Sequence, residues 1–239
     1  RRQSDGVDAH AAGDDLSTSS RHGNMAAVWL LCSVAVVFWL TAQQPGSSLA
    51  VFAAVNTEQR IAPLSYTLAL GPGLFASLHG LMVIALLPVF LYLHGLSPSR
   101  TGSTAGKLVW GYVATAAAFA LMVAASLRGG DAGRVSSVWL IGCYLLLSLA
   151  EILLAPLGMS LVTRLAPQHK TAQAVGLWFA GSTVGNGLAA VLGLYWDRWP
   201  HHRYFVVLAL VSLAAAVPLL SRRRHLDWLT ALTVSAASQ

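Results

Sequence analysis

Charged residues are scarce in this chain of 239 residues. Asp, Glu, Lys and Arg together make up 10% of the sequence, whereas a soluble globular domain carries roughly 25%. Hydrophobic residues make up 56%, and the mean hydropathy is +0.62. This composition excludes an ordinary soluble domain, and it indicates an integral membrane protein whose first partner is the lipid bilayer.

Disulfide frameworks, metal-ligand clusters and catalytic motifs are also missing. Cys32 and Cys143 are the only cysteines, and both lie in apolar stretches, so no disulfide framework is predicted. The pair His201-His202 has no cysteine or carboxylate at metal-ligand spacing, so we predict no metal site and no cofactor. The sequence has no nucleophile elbow, phosphate-binding loop or pair of catalytic carboxylates, and an enzyme is therefore not predicted.

The net charge of +6 is compatible with a nucleic-acid partner. However, three consecutive arginines, 222–224, directly follow an apolar run, where basic residues commonly set membrane orientation. With both ends cytoplasmic, ten of the fifteen Lys and Arg residues lie in inside regions and five in outside connections. This bias predicts a multi-pass protein of the plasma (inner) membrane with both termini cytoplasmic, and it favours no nucleic-acid partner.

Apolar residues form six long runs that are separated by short polar connections. Continuous runs favour helical spans over barrel strands, because barrel strands alternate in polarity over about ten residues. Each run approaches the roughly 20 residues that cross the hydrocarbon core. The sequence therefore predicts an all-α membrane protein with a bundle of six transmembrane helices, at residues 25–41, 74–93, 109–127, 138–162, 172–195 and 204–220.

Polar segments flank this six-helix region at residues 25–220. Residues 1–24 contain four aspartates and several serines without apolar periodicity, and they are interpreted as a disordered tail or linker. Residues 221–239 are interpreted as a basic cytoplasmic tail. The chain begins with Arg1 rather than Met, which leaves open a fragment, a processed product or a start at Met25.

Glu151 is the one carboxylate that the sequence places inside an apolar run. An ionisable side chain at membrane depth costs about 2.5–3.5 kcal/mol on insertion scales, so it persists mainly where it faces a bundle interior, a partner or water. A desolvated carboxylate can stay neutral until a cation arrives, and it can then serve as an ammonium partner or a proton site. We expect a functional role, with a purely structural hydrogen-bonded carboxyl as the alternative.

Proline and glycine interrupt the predicted helices at particular places. Pro45-Gly46 follows the first run, Pro88 lies in the second, and Pro156 and Gly158 come about one turn after Glu151. Such breaks favour helices that line a cavity, although membrane helices also tolerate proline in general. Four glycines of the fifth run are expected to allow close helix packing: Gly181, Gly185, Gly187 and Gly193.

Residues 150–167 read A-E-I-L-L-A-P-L-G-M-S-L-V-T-R-L-A-P. They resemble the tenth transmembrane helix of the proton-dependent oligopeptide transporter (POT/PTR) family in the major facilitator superfamily, approximately G-E-L-x-x-S-P-x-G-L-S-x-V-T-K-L-A-P. Residues 176–186 are similar to the eleventh-helix pattern G-x-W-F-x-x-x-x-x-G-N. Residues 38–57 are similar to the seventh helix, and residues 77–90 to the eighth.

The resemblance covers residues 25–220 and implies the C-terminal half, helices 7–12, of a twelve-helix transporter. It implies proton-coupled symport of di/tripeptides or peptide-like solutes, with the proton gradient as driving force and the substrate site at the interface between two halves. The remaining partner is then an N-terminal six-helix half or a second copy. The alternative is a truncated or decayed half that acts as a membrane interaction or scaffold unit without transport.

The resemblance also implies site residues. Glu151 matches the family glutamate expected to meet the peptide's α-amino group, and Gln44, Trp178 and Asn186 match residues around the substrate. Gln43 stands where the family usually has a glutamate tied to protonation, and an amide cannot titrate. His79 replaces a family asparagine and is a candidate for proton coupling, as is Glu151. Interhelical hydrogen bonds for the glutamines, a structural role for the histidine and core packing for the tryptophan remain the alternatives.

Overall fold

The computed structural model describes residues 24–58, 72–96 and 103–237, so most of the predicted N-terminal tail lies outside the described residues. Two 3₁₀ turns, at Gln44–Gly46 and Gln168–Lys170, connect helices. The α-helices are α1 Met25–Ala42, α2 Ser48–Val55, α3 Pro72–Leu96, α4 Thr104–Gly129, α5 Ser137–Leu165, α6 Thr171–Gly193, α7 His201–Ser221 and α8 Arg223–Ala237.

Side chains at the helix ends explain several of these boundaries. Asn24 Oδ1 accepts a hydrogen bond from Ala27 N at 3.1 Å, and Ser103 Oγ accepts one from Gly106 N at 2.9 Å. Each side chain thereby satisfies an N–H group that has no partner within its own helix. α4 ends at Gly129, and the following Gly130 has a φ of +66°, which lies in the left-handed region that glycine adopts without strain.

Six helical segments of the described chain are long and apolar enough to cross a membrane, as predicted. The first segment is longer than expected, because it runs from Met25 to Val55 through the 3₁₀ turn. The run of polar and helix-breaking residues at 43–48 suggested the end of a span. In the structure this run lies inside the span, where Leu49 and Phe52 of α2 are buried.

Two clusters of buried side chains hold the bundle together. α4 packs against α5 and α7, and α1 packs against α6. One cluster joins Val28 of α1, Leu161 of α5 and Leu219 of α7. The other is rich in aromatic side chains, including Phe119, Tyr144 and Phe205. Because lipid tails are as apolar as these side chains, close packing and hydrogen bonds stabilise the bundle more than burial itself does.

The contact between α1 and α6 depends on two glycines. A Cβ atom at Gly185 would lie 2.5 Å from Val36 O and 2.7 Å from Trp39 Cβ, and one at Gly181 would lie 3.2 Å from Cys32 O. These positions therefore allow the two backbones to approach closely, as expected. Among the described residues, an added Cβ at Gly187 or Gly193 would meet nothing within 4 Å, so the expected close packing is wrong for these two glycines within the described bundle.

The three singled-out prolines have different effects. Pro45 lies in the 3₁₀ turn between α1 and α2, so the helix is broken there. Pro88 and Pro156 lie inside α3 and α5, which continue through them. α5 therefore presents Glu151 from an unbroken helix, although proline removes one hydrogen bond to the carbonyl four residues earlier.

Candidate substrate site

Glu151 faces a pocket that is formed by α1, the following turn, α3, α4 and α5. Its side chain is 36% exposed, whereas Ala150, Ile152 and Leu154 on the same helix are buried. The α5 sequence thus packs its apolar residues into the bundle and leaves the carboxylate at an opening. The pocket is lined by Phe38, Thr41, Ala42, Pro45, His79, Thr115, Leu147, Ala150 and Glu151.

His79 of α3 lies directly beside this carboxylate. Its Nε2 atom is 3.5 Å from Glu151 Oε2, and its side chain is 13% exposed. Among the described residues, Nε2 is buried and makes no hydrogen bond, so the two side chains are close neighbours without a hydrogen bond between them. Ser148 Oγ donates to the backbone carbonyl of His79 at 3.3 Å, which ties α3 to α5 one turn before Glu151.

Two threonines line the pocket although the sequence did not predict them as site residues. Thr41 Oγ1 donates to Phe38 O at 2.9 Å, and Thr115 Oγ1 donates to Gly111 O at 3.0 Å. The hydroxyl protons are therefore used within the helices, while the oxygens can still accept a hydrogen bond. In membrane proteins, threonine side chains commonly donate a hydrogen bond to a carbonyl of their own helix. A threonine in an apolar run is therefore weak evidence for a site residue.

Gln43 and Asn186 form a second polar group. Gln43 Nε2 donates to Asn186 Oδ1 at 3.0 Å, which joins the end of α1 to α6. Gly185 places Asn186 there, because its missing side chain allows the close approach of the two helices. Two predicted site residues are thus brought together, but neither lines the pocket around Glu151. Their roles in proton coupling and substrate binding stay predictions.

Gln44 points away from this pocket into the bundle. Its side chain is fully buried, and Nε2 donates to Leu40 O at 2.9 Å. Its Oε1 accepts hydrogen bonds from Ser48 Oγ and from Tyr204 OH, the latter at 3.2 Å. This network satisfies the polar atoms of a turn inside the span. Substrate binding by Gln44 stays a prediction, and the geometry gives this side chain partners within the protein.

Trp178 is also separated from Glu151. It is 6% exposed, and its ring packs on Gly158, where a Cβ atom would meet the ring. It lines a second cavity, between α1, α4, α5 and α6. Phe38 borders both this cavity and the pocket around Glu151, so it stands between them. Trp178 therefore lines the neighbouring cavity rather than the pocket around Glu151, and its contact with substrate stays a prediction.

The pocket therefore combines a partly exposed carboxylate with a neighbouring imidazole. A carboxylate attracts a cation more strongly in a partly desolvated site than in water, because the effective dielectric constant is lower there. An imidazole at 3.5 Å can hold a positive charge against the same carboxylate or release it. Within the described residues, no group of three His, Cys, Asp or Glu side chains could hold a metal ion.

Known proteins resemble this chain in sequence. An uncharacterized transporter, YclF, of Bacillus subtilis (strain 168) is 32% identical over 179 residues, which are 75% of this chain and 35% of the relative. The peptide transporter YePEPT of Yersinia enterocolitica subsp. palearctica serotype O:3 (strain YE-P4) is 34% identical over 170 residues, which are 69% of this chain and 32% of the relative. The chain thus spans about a third of the length of the curated relatives it matches.

The fold is similar to that of solved peptide transporters. A crystal structure of a peptide transporter POT in complex with sulfate superposes with a TM-score of 0.75 and 26% sequence identity, covering 85% of this chain and 40% of that one. The predicted fold, a six-helix bundle corresponding to one half of a major facilitator superfamily transporter, is confirmed. The sequence model of the POT family matches residues 16–200. The chain is therefore an integral membrane protein that belongs to the POT family.

Proposed function

We propose that this chain forms the substrate-binding half of a secondary transporter for di/tripeptides or peptide-like solutes, in which Glu151 binds the substrate's amino group. The position of Glu151 carries the proposal, because a partly exposed carboxylate at a pocket, on a helix long and apolar enough to cross a membrane, is suited to binding a cationic group. The relative YePEPT, named a peptide transporter, supports the choice of substrate.

His79 binds the coupled proton in this proposal. Gln43 cannot titrate, and its amide is already bonded to Asn186. His79 lies 3.5 Å from Glu151 on a different helix. A proton on the imidazole keeps the neighbouring carboxylate ionised, so that Glu151 can bind the substrate's ammonium group while His79 carries the proton. Proton and substrate are coupled because both act on the charge of Glu151.

Transport also requires a second six-helix unit, since alternating access rocks two bundles about a shared site. The exposed faces of α3 and α6 are suitable for packing against that unit. Ile84 of α3 and Phe179 of α6 are large, apolar and exposed. The partner is an N-terminal six-helix half or a second copy. The bundle lies in the plasma (inner) membrane with both termini cytoplasmic.

Uptake of a labelled dipeptide tests the proposal. Proteoliposomes hold the full reading frame together with its partner six helices, and an inward proton gradient drives uptake. We expect Glu151→Gln to abolish accumulation, because an amide has the shape of the carboxylate without its charge. Glu58→Gln removes a carboxylate outside the pocket, at an exposed position after α2, and is expected to transport normally. Normal uptake by Glu151→Gln in a folded protein contradicts the proposal.

The pH dependence tests the role of His79 separately. Native uptake is expected to fall as the external pH rises through the range of about 5 to 8, where an imidazole loses its proton. In His79→Asn, which restores the residue usual in the family, uptake is expected to lose this dependence. A pH profile that is unchanged in His79→Asn removes His79 from the coupling, while leaving Glu151 as the substrate residue.

A second candidate is a membrane interaction or scaffold unit without transport. The bond between Gln43 and Asn186 favours it, because an amide pair replaces a titratable group at the contact between α1 and α6. The same uptake assay distinguishes the two candidates. Absence of uptake for several peptides by a correctly folded native protein with its partner unit supports the scaffold.

A further inference from the structure

The final helix, α8, is held against one end of the bundle. It starts after a break at Arg222 that directly follows α7, and it contacts the ends of α4 and α5. Leu226 is fully buried in the core cluster, and Asp227 Oδ1 accepts a hydrogen bond from Ala105 N at 3.4 Å. A carboxylate at the start of α4 also interacts favourably with that helix dipole. α8 is therefore a fixed part of the fold.

The opposite side of α8 is basic and aromatic. Arg224, His225 and Trp228 are exposed and lie on one face, because residues three and four positions apart are neighbours on a helix. Trp228 is 57% exposed, and its ring stacks with that of His225 at a centroid distance of 6.1 Å. This arrangement is unusual for a water-exposed helix, since a large indole is left without apolar cover on a face that also carries cations.

α8 lies at one end of the helices that are long and apolar enough to cross a membrane. α4 begins beside it, and α5 and α7 end beside it. α8 has 15 residues, and a helix of that length is about 22 Å long, shorter than the roughly 30 Å hydrocarbon core. The helix is thus placed where an interfacial helix would lie, with its far side available to the head groups.

The two ends of the described bundle differ in charge. The end that includes α8 carries six Lys and Arg residues and one carboxylate, Asp227, in the described part of the chain. The opposite end carries four arginines and three carboxylates over the same described ranges. The first end therefore attracts anions much more strongly. The basic residues of that end are Lys107, Arg164, Lys170, Arg222, Arg223 and Arg224.

We propose that α8 is an interfacial helix that binds anionic phospholipids, with Arg222 and Arg224 on the head-group phosphates and Trp228 at the boundary with the acyl chains. A guanidinium matches a phosphate through two parallel hydrogen bonds, and an indole prefers the head-group level. Clusters of basic residues next to a transmembrane helix attract anionic lipids by the same charge complementarity. This site lies outside the pocket of Glu151 and does not depend on peptide transport.

Lipid-specific quenching of Trp228 tests this proposal on the full chain in nanodiscs. The emission of Trp228 is obtained as the difference between the native protein and Trp228→Phe. The discs contain phosphatidylcholine and phosphatidylglycerol at a fixed ratio, with bromine on the acyl chains of one lipid or the other. We expect brominated phosphatidylglycerol to quench the Trp228 emission about twofold more than the same mole fraction of brominated phosphatidylcholine, and the preference to shrink in high salt.

Two double variants provide the matched comparison. Arg222→Gln with Arg224→Gln is expected to remove the preference for the anionic lipid. Arg134→Gln with Arg203→Gln removes the same charge at the opposite end and is expected to retain the preference. Equal quenching by both lipids in the native protein overturns the proposal, as does absence of quenching by either. A preference that survives the first double variant, or is lost in the second, also overturns it.

Discussion

The close contact of α1 and α6 can be tested by adding one carbon atom to either of two glycines. Gly185→Ala places a Cβ 2.5 Å from Val36 O, 2.7 Å from Trp39 Cβ and 3.0 Å from Leu40 N. None of these atoms is the end of a flexible side chain, so α1 itself must move. Gly187→Ala adds the same atom two residues later, where no atom of the described part of the chain lies within 4 Å.

The two substitutions differ only in this contact. Both replace glycine by alanine inside α6, which favours the helix by up to about 1 kcal/mol. Overpacking costs roughly 1–3 kcal/mol when side chains or backbone must shift. We therefore expect Gly185→Ala to be less stable than Gly187→Ala by about 1–3 kcal/mol, and the bond between Gln43 and Asn186 to be lost with it.

Unfolding of the purified proteins in mixed micelles, by titration with a denaturing detergent, measures the difference. The helix-propensity gain cancels in the comparison, so the sign of the difference is determined by the contact with α1. Equal stability of the two variants, within about 0.5 kcal/mol, would refute the close packing and with it the placement of Asn186 beside Gln43.

Two hydrogen-bonded side chains outside the pocket give further predictions for the same unfolding measurement. Tyr112 OH donates to Val34 O at 2.6 Å between α4 and α1, so Tyr112→Phe is expected to cost about 0.5–1.5 kcal/mol, while Tyr92→Phe, at an exposed position of α3, costs nothing measurable. Asn56 Nδ2 donates to Asp131 O at 2.9 Å in the connection between α4 and α5, so Asn56→Ala is expected to cost about 1–3 kcal/mol. Values near zero for both would contradict these contacts.

Composition and local pattern were sufficient for the six spans, because length and hydropathy are properties of contiguous residues. The family motif around Glu151 was likewise local, and it identified a carboxylate that the structure places at a pocket. The polar run at 43–48 predicts the end of the first span, whereas in the structure the break at Gln44–Gly46 lies inside that span. A polar run is expected to leave the membrane unless its polar atoms have hydrogen-bond partners within the protein. Gln44 has such a partner in Tyr204, but Tyr204 lies 160 positions away, so local sequence could not predict the bond.

The neighbours of the predicted site residues depend on how each helix is rotated about its axis in the bundle, which the local sequence pattern does not determine. Family spacing placed Trp178 and Asn186 on the same helix, α6, but their neighbours are determined by how that helix packs. Trp178 packs on Gly158, and Asn186 meets Gln43, so the two point to different places. α8 was also missed, because Leu226 and Leu229 alone give too short an apolar pattern among the arginines to predict a helix.

The most direct test of the account is a binding cycle on Glu151 and the substrate's amino group. Affinities of the native protein and Glu151→Gln, each with its partner six helices, are measured for a dipeptide and for its analogue that lacks the amino group. A charged hydrogen bond is worth about 1.5–3 kcal/mol, so removing the amine should weaken binding to the native protein roughly tenfold to a hundredfold. The same change should have little effect on Glu151→Gln. An equal loss of affinity in both proteins would contradict the pairing of Glu151 with the amine.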